Sequence, residues 1–341
     1  MDSDMNGPVR LTTGEATALV SRALQASNCS ASVAECVAGA LVRSETDGQS
    51  GHGLSRVPYY ALQSRVGKVD GSAVPELLDI KPAVFRVDAG YGFAYPALRV
   101  ALPELARRAR ETGVAACAIA RSHHFGVAGH HCEDLAREGL VAFVYGNAPA
   151  TIAPWGTRTP VLGTNPIAFA APIPSKEPLV IDFAVSTVAK GKIMAAAQAG
   201  REIPEGWALG PDGEPTTDAS VAMKGTLAPA GDAKGVGLAL MVEVMSACLV
   251  GSALGTEASS LFDDKGGPPN LGQTILAMDP SALSGGAFNA RMTELVEVFC
   301  AVEGARLPGT RRLDARASVS KNGLSVPAAL LRMIEEIGTA H

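Results

Sequence analysis

The sequence predicts an α/β fold that differs from the Rossmann type. Three observations support this: apolar strand-like segments alternate with amphipathic helices in the middle of the chain, further helices stand at both ends, and the signature GxGxxG is missing. The nearest approach to that signature, at 90–95, has Tyr95 in place of the last glycine. A dinucleotide, if one is bound, therefore needs a cradle other than the Rossmann turn.

The chain is expected to begin with helices. Two pairs have capping-box spacing, in which a hydroxyl and a carboxylate three residues later satisfy free backbone amides: Thr12 with Glu15, and Ser32 with Glu35. Each pair precedes a run rich in Ala, Leu and Val, so helices are predicted at about 13–27 and 32–45. A third helix is predicted at about 55–65, after a glycine-rich turn.

Strand and helix patterns alternate from residue 84 onward. Short apolar runs predict strands at 84–88, 114–120, 140–145, 167–171, 179–183 and 274–278. Helical spacing predicts helices at 96–111, 126–138, 187–199, 235–252, 288–303 and 326–338. Segments 203–217 and 255–272 are rich in glycine and proline and are predicted to be surface loops.

Bulk properties limit the classes of function. The 341 residues are 47% hydrophobic and 18% charged, which is typical of a compact enzyme. A net charge of −5 with interspersed signs gives no electrostatic footprint for nucleic acid or a membrane, so a small-molecule partner is expected. The six cysteines form no CxxC pair, and the first residues lack the features of a signal peptide. We therefore expect a cytoplasmic protein with reduced thiols.

The segment Gly51-His52-Gly53-Leu54-Ser55-Arg56 is the first candidate for chemistry. Histidine gives and takes protons near neutral pH, and flanking glycines leave its ring accessible. Arg56, four residues on, is suited to clamp a carboxylate with its two-pronged guanidinium. The alternative is a capped turn with a surface histidine.

Histidines cluster in a second segment that follows a predicted strand. Four of the six, His123, His124, His130 and His131, fall within nine residues. Neither HExxH nor a cysteine-histidine finger spacing is present, so no metal site is predicted, although a metal-dependent hydrolase remains an alternative. Polar groups at a strand end and helix start more often meet an anion or a ligand amide.

Three further segments place polar or charged residues beside glycine-containing turns or strand ends. They are Gly163-Thr164-Asn165-Pro166 with Asp182-Phe183-Ala184 and Lys192, then Gly231-Asp232-Ala233-Lys234-Gly235, and last the run from Arg306 through Pro308 and Gly309 to Arg311 and Arg312. In proteins that lack a P-loop, cations beside such turns can bind phosphate groups together with the backbone amides. Ordinary turns and solvated charges explain each segment equally well when it is taken singly.

Taken in order, these motifs resemble the malate/L-lactate dehydrogenase-like family, which includes sulfolactate dehydrogenases and Δ1-piperideine-2-carboxylate/Δ1-pyrroline-2-carboxylate reductases. The resemblance runs from about Leu11 to Leu330 and is strongest at Gly163-Thr164-Asn165-Pro166 after Ala153-Pro154-Trp155-Gly156. It implies a non-Rossmann α/β fold in which a mostly antiparallel sheet holds NAD(P). It also implies a helical domain built from both chain ends, and a homodimer. The corresponding division is 8–75 with 300–338 for the helical substrate and dimerisation part, and 76–299 for the cofactor part.

The resemblance also implies roles for individual residues. His52 matches the family's acid/base histidine, Arg56 its substrate-carboxylate arginine, and Lys192 a lysine common in the hydroxyacid dehydrogenases. Residues that match cofactor-lining positions are His124, Thr164, Asp182, Phe183, Ala184, Asp232, Lys234, Arg306, Pro308, Gly309, Arg311 and Arg312. The cofactor is expected to be NADPH or NADH, with the arginines favouring NADP through its 2′-phosphate.

Two departures bear on the reaction. Gly51 stands where the family usually has serine, which removes the hydroxyl expected to orient His52. Lys192 stands where a cyclic-imine reductase carries aspartate, whereas Ser122-His123-His124-Phe125 resembles that reductase. We therefore expect NAD(P)H-dependent reduction of a small cyclic α-imino acid, with His52 as proton donor. A malate- or lactate-type 2-hydroxyacid dehydrogenase is the main alternative, and a binding module that has lost its chemistry through Gly51 is another.

Overall fold

A computed structural model describes residues 7–339 as a central sheet with helices packed around it. The strands are β1 Val9–Leu11, β2 Glu76–Lys81, β3 Val84–Asp88, β4 Val114–Ser122, β5 Val141–Gly146, β6 Ile167–Ile173, β7 Lys176–Phe183, β8 Ala208–Leu209, β9 Thr226–Leu227, β10 Leu271–Met278 and β11 Leu324–Val326. The helices are α1 Thr13–Gln25, α2 Ala31–Thr46, α3 Val57–Arg65, α4 Ala94–Thr112, α5 Ala128–Arg137, α6 Lys190–Gln198, α7 Ala219–Ala222, α8 Ala233–Glu243, α9 Pro280–Ser284, α10 Phe288–Cys300, α11 Thr310–Asn322 and α12 Ala328–Thr339.

The main sheet has seven strands in the order β2-β3-β4-β10-β5-β6-β7. The pair β3/β4 is parallel and the other neighbours are antiparallel, which confirms a mostly antiparallel, non-Rossmann sheet. In the middle of the sheet, Ile275 lies opposite Cys117 on one side and Val144 on the other, and all three are buried. Burial alternates along β4 and β5, which were predicted from their short apolar runs.

Helices α4 and α5 cover this sheet. Both carry alanine-rich faces that belong to the same hydrophobic cluster as the inner residues of the strands. Helix α5 contains two of the clustered histidines, His130 and His131. It packs directly against the strands β5, β6 and β7. None of the helices in residues 7–339 is long and apolar enough to cross a bilayer.

Both chain ends contribute to a second hydrophobic cluster. Strand β1 pairs with β11, so that Val9 lies opposite Val326, and α1 packs on α2 and α12. This cluster also includes Tyr60 and Tyr95. The prediction that helices from both termini lie together is confirmed in these contacts, whereas the division at 75/76 and 299/300 stays a prediction.

Several sequence-based expectations need correction. The cap of α2 is Ser30, whose hydroxyl accepts from the Val33 amide, and not Ser32. The helix expected at 235–252 ends at Glu243 and continues as a π-helical segment, Val244–Cys248. The short strands β1, β2 and β11 were not predicted. Neither was α11, because its sequence is mostly polar and shows little helical periodicity.

Candidate functional site

Two short 3₁₀ turns, Ser50–His52 and Leu54–Arg56, carry the first candidate residues. Helix α2 ends just before them, and Glu45 near its end accepts a hydrogen bond from the backbone amide of Leu54 at 2.9 Å. Burial raises the pKa of this carboxyl. A Cβ on Gly53 would lie 2.2 Å from the Glu45 carboxylate oxygen and 3.1 Å from the Glu45 backbone nitrogen, so a larger residue there displaces Glu45. Glu45, which fixes the turn, was not identified from the sequence.

The glycines on either side of His52 provide a matched pair of variants. A Cβ on Gly51 would meet no atom within 4 Å, and its φ is not positive. We expect Gly51→Ala to raise the free energy of unfolding by about 0.4–1 kcal/mol, because the unfolded chain loses freedom. Gly53→Ala is expected to lower it by about 1–3 kcal/mol, because the new Cβ collides with Glu45. Urea unfolding of both variants checks this, and equal midpoints would contradict it.

His52 lies face to face with His124. The ring centroids are 5.3 Å apart and the planes differ by 19°. Nδ1 of His124 shares a 2.6 Å hydrogen bond with the hydroxyl of Tyr60, which lies 3.2 Å from the Tyr95 hydroxyl. The stack thus orients His52 in this chain, where Gly51 supplies no hydroxyl. Neither tyrosine was identified as a site residue from the sequence.

Both stacked rings are uncharged at neutral pH. Protein surrounds His52, although part of the residue stays accessible, and this burial lowers its pKa to about 4, with smaller effects from the charges of Arg56 and His130. The pKa of His124 is also well below its ordinary value, through burial first and then Arg56. A neutral imidazole is a base as it stands, and it becomes an acid only after taking up a proton.

Arg56 has an unused donor. Its Nε donates to the Gly51 carbonyl at 2.8 Å, and its guanidinium lies over the ring of Phe262, 4.6 Å from the centroid. The side chain is buried, yet Nη1 has no hydrogen-bond partner within residues 7–339. Buried guanidinium nitrogens are normally paired, and a carboxylate is their best partner. The unpaired Nη1 of Arg56 therefore has the chemistry to bind an anionic group.

The remaining clustered histidines have separate partners. His123 Nε2 bonds Gln63 Oε1 at 2.8 Å, His130 Nε2 bonds Asp47 Oδ2 at 2.8 Å, and His131 Nε2 donates to the Phe125 carbonyl at 2.9 Å. Across residues 7–339 no group of three or more His, Cys, Asp or Glu side chains converges on a point that could hold a metal. These contacts are structural and give the metal-dependent hydrolase no support.

The buried neutral histidines make stability depend on pH. Burial lowers the pKa of His131 from 6.5 to about 4, so the unfolded chain takes up this proton first as the pH falls. The contribution is therefore complete above pH 6.5 and is lost toward pH 4. We expect the free energy of unfolding to fall across this window, and His131→Gln, which keeps a donor for Phe125, to reduce the slope by about 1.4 kcal/mol per pH unit. Urea unfolding at pH 4.5–7 tests this, and an unchanged slope would refute it.

Three predicted cofactor segments lie side by side. The Val185 amide donates to the Thr164 carbonyl at 2.9 Å, and the Ala230 amide donates to the Val185 carbonyl at 2.8 Å. These bonds bring Thr164, the 182–184 stretch and the turn of Asp232 and Lys234 together. Phe183, Asp232 and Lys234 are exposed there, and Ala184 is half-buried.

A buried carboxylate holds the Asn-Pro turn of this region. Asn165, which has φ +36°, donates from Nδ2 to Glu243 Oε2 at 2.8 Å, and Glu243 Oε1 accepts from the Gly255 amide at 2.6 Å. A Cβ on Gly163 would lie 2.2 Å from the Ala148 carbonyl oxygen. Asn165 and Gly163 therefore shape the backbone beside Thr164. Glu243 was missed by sequence reasoning, because it lies within a helix with no local sign of its role.

The last predicted segment meets the strand β7. Asp182 Oδ2 accepts from the Gly129 amide at 2.8 Å, and a Cβ on Gly309, which has φ +91°, would lie 3.3 Å from the Val180 carbonyl oxygen. Gly309 is the N-cap of α11, so Arg311 and Arg312 belong to a helix and not to the loop expected from the sequence. Arg306, Pro308 and Arg311 are exposed.

Arg312, by contrast, is buried. Its Nε has no hydrogen-bond partner within the described part of the chain, and its Nη2 lies 3.3 Å from Glu133 Oε1. Glu133 is fully buried and also pairs with Arg316 at 2.7 Å, which itself holds Asp47. These ion pairs explain how the polar helix α11 packs against α5 and α2. Burial lowers the pKa of Arg312, and an anion would satisfy its free nitrogen.

Lys192 has no recorded contact with His52 or Arg56 in the part of the chain that the structure describes. It is exposed in the first turn of α6, whose Ile193 is buried in a separate hydrophobic cluster. Within residues 7–339 its side chain makes no hydrogen bond or ion pair, and nothing brings it to His52 or Arg56. Its catalytic role stays a prediction.

Comparisons with known proteins agree with this architecture. A family model described as malate/L-lactate dehydrogenase matches residues 11–335. The chain is 47% identical to a (2R)-3-sulfolactate dehydrogenase (NADP(+)) of Chromohalobacter salexigens, over 93% of this chain and 94% of the relative.

Imine reductases are also among its relatives. A Δ1-pyrroline-2-carboxylate reductase of Ancylobacter novellus is 39% identical over 98% of this chain and 99% of its own length. The solved Δ1-piperideine-2-carboxylate reductase of Pseudomonas syringae pvar. tomato superposes with a TM-score of 0.91 at 37% identity, over 96% of this chain and 99% of that one. With the family model spanning most of its length, the chain belongs to the malate/L-lactate dehydrogenase family of oxidoreductases.

Proposed function

We propose that this protein reduces a small cyclic α-imino acid, Δ1-piperideine-2-carboxylate or Δ1-pyrroline-2-carboxylate, with NAD(P)H. The observation that carries the proposal is the unpartnered Nη1 of Arg56, whose guanidinium lies over the ring of Phe262 and whose charge acts on both rings of the His52–His124 stack. One carboxylate clamp, one proton carrier and an apolar wall suit a substrate with one carboxylate on an apolar ring. The imine reductases among the relatives support the same substrate class.

The roles follow from these contacts. Arg56 binds the substrate carboxylate and fixes the imine beside the histidine pair. His52 delivers a proton to the imine nitrogen, while a bound reduced nicotinamide supplies the hydride for the carbon α to the carboxylate. A carboxylate on Arg56 offsets the positive charge that helps to lower the pKa of His52. Substrate binding therefore favours proton uptake by His52. The protonated imidazole, which is the acid, then forms beside the bound imine.

The second group of residues is proposed to hold the cofactor. The nitrogen of buried Arg312 that has no partner among the described residues fits an anionic ligand. Exposed cations on the neighbouring segments, Lys234, Arg306 and Arg311, favour NADP over NAD because a 2′-phosphate adds charge. Fluorescence titration with NADPH and NADH tests this preference, and equal affinities would remove it.

A 2-hydroxyacid dehydrogenase is the second candidate. A neutral His52 is a ready base for removing a hydroxyl proton, and the sulfolactate dehydrogenase shares 47% of the aligned residues. Sulfolactate and malate carry two anionic groups and call for a second cation. Lys68 is a nearby cation, and its charge helps to lower the pKa of His123. Its ammonium, however, already donates to four oxygens of the loop 260–265. We therefore place the imino acid first.

Steady-state assays decide between the two. Piperideine-2-carboxylate and pyrroline-2-carboxylate are compared with pyruvate, oxaloacetate and sulfopyruvate, each with NADPH and NADH. We expect the highest kcat/KM for one of the cyclic imines. A clear preference for a keto acid would overturn the proposal in favour of the dehydrogenase, and cofactor binding without any turnover would favour a non-catalytic binding module.

We further propose that the protein is a cytoplasmic homodimer. The segment 233–249 exposes large apolar side chains, including Leu240, Val244 and Leu249, and a second copy would bury them. All six cysteines are free thiols, as the reducing cytoplasm keeps them. Light scattering after gel filtration tests the dimer, and a monomeric mass at micromolar concentration would contradict it.

A further inference from the structure

A buried lysine holds one loop beside the candidate site. Lys68 follows α3, and its side chain is 1% exposed. Its ammonium donates to the carbonyls of Ser260 at 2.6 Å and Lys265 at 2.7 Å, and reaches the carbonyl and carboxylate oxygens of Asp263 at 3.2 and 3.4 Å. An ammonium withdrawn from water is costly unless such partners satisfy it. All of these partners lie in the loop 260–265.

A second side chain of α3 ties the same loop to the histidine segment. Gln63 is buried, and its Nε2 donates to the Asp263 carbonyl at 3.1 Å. Its Oε1 bonds His123 Nε2 at 2.8 Å. The loop is thus fixed relative to the chain that carries the proton-transfer candidates.

The loop presents an aromatic ring to the carboxylate clamp. Phe262 lies under the guanidinium of Arg56, and its ring meets Tyr59 edge-on at 5.4 Å between centroids. The backbone amide of Phe262 donates to the Ser260 hydroxyl at 3.1 Å, which helps to set the ring's direction. A cation is attracted to the face of an aromatic ring. Phe262 therefore helps to hold the Arg56 guanidinium in place, together with the Gly51 carbonyl that accepts from Nε.

We propose that Lys68 is a positioning residue for substrate binding, which keeps Phe262 against Arg56 so that Nη1 stays directed at the substrate carboxylate. This rests on the proposed function in assigning the carboxylate to Arg56. Lys68 has no contact with His52, so its loss acts on carboxylate binding and leaves proton transfer largely intact.

The test uses Lys68→Met, which keeps the apolar stem and removes the donors, and Phe262→Leu, which removes the ring. We expect each variant to raise KM for the imino acid about tenfold, equivalent to about 1.4 kcal/mol, with kcat changed less than about threefold and the Kd for NADPH unchanged. Because both act through one contact, the double variant is expected to resemble Phe262→Leu rather than to multiply the effects.

A matched control and a substrate-free measurement complete the experiment. Arg65 lies in the last turn of the same helix, is exposed, and donates to the Ile337 carbonyl, so Arg65→Met is expected to leave KM unchanged. Trypsin cleavage after the exposed Lys265 is expected to be faster in Lys68→Met than in the native protein. This readout needs no substrate and does not depend on the proposed function.

The outcomes separate the two proposals. An unchanged KM in Lys68→Met or in Phe262→Leu, or multiplied effects in the double variant, would overturn the positioning role. If Lys68→Met does not fold, Phe262→Leu alone decides. An unchanged KM in that variant would show that the loop 260–265 does not act on Arg56. A native protein that turns over none of the imino or keto acids refutes the proposed function instead.

Discussion

Replacing His52 by glutamine is expected to lower kcat about 10²- to 10⁴-fold, the range typical of a positioned acid or base. Glutamine retains polarity and approximate size but carries no transferable proton. The ring of His124 stays beside the substituted side chain, yet its Nδ1 is bonded to Tyr60 and its pKa is held well below the ordinary value. The measurement is single-turnover reduction of the imino acid with saturating NADPH.

His131→Gln is the matched control for this variant. His131 lies in the same histidine-rich segment but donates to the Phe125 carbonyl and has no contact with His52. We expect its kcat to stay within about threefold of the native value. Turnover by His52→Gln near the native rate, with NADPH binding intact, would exclude His52 as the essential acid.

Replacing Arg56 by methionine is expected to lower kcat/KM about 10²- to 10³-fold, which corresponds to about 3–4 kcal/mol for a charge-assisted pair in a buried site. The loss is expected mainly in KM, because the clamp holds the carboxylate in both ground and transition states. Arg56→Lys is expected to recover little of it, since a lysine cannot donate to Gly51 and the substrate with the same fork.

The same variant has a spectroscopic readout. Arg56 is the first charge, after burial, that lowers the pKa of His52, so its removal is expected to raise that pKa above about 4 toward 6.5. NMR titration of the His52 ring measures the shift without substrate. A His52 pKa that does not move would show that the two side chains are not coupled, and an unchanged KM would remove the carboxylate role.

Much of the fold was predictable because most elements carry a local signal in the sequence. The inner strands β4 and β5 are short apolar runs, and helix α1 has a capping box and a buried apolar face. Helix α11 was missed for the opposite reason. Its buried residue is Arg312, and the charges of Arg312 and of half-buried Arg316 are matched by Glu133 and Asp47 from distant segments. A helix that packs through ion pairs leaves no apolar period to detect.

The candidate site was likewise predictable only in part. The sequence by itself determined the glycine-flanked turn, the short spacing from His52 to Arg56 and the order of the cofactor motifs, because these depend on neighbours along the chain. Only the tertiary structure decided what orients His52, what holds the Arg56 guanidinium and which arginine nitrogens stay free. His124, Phe262 and Lys68 act across long sequence separations, and contacts between distant segments are set by packing rather than by any local pattern.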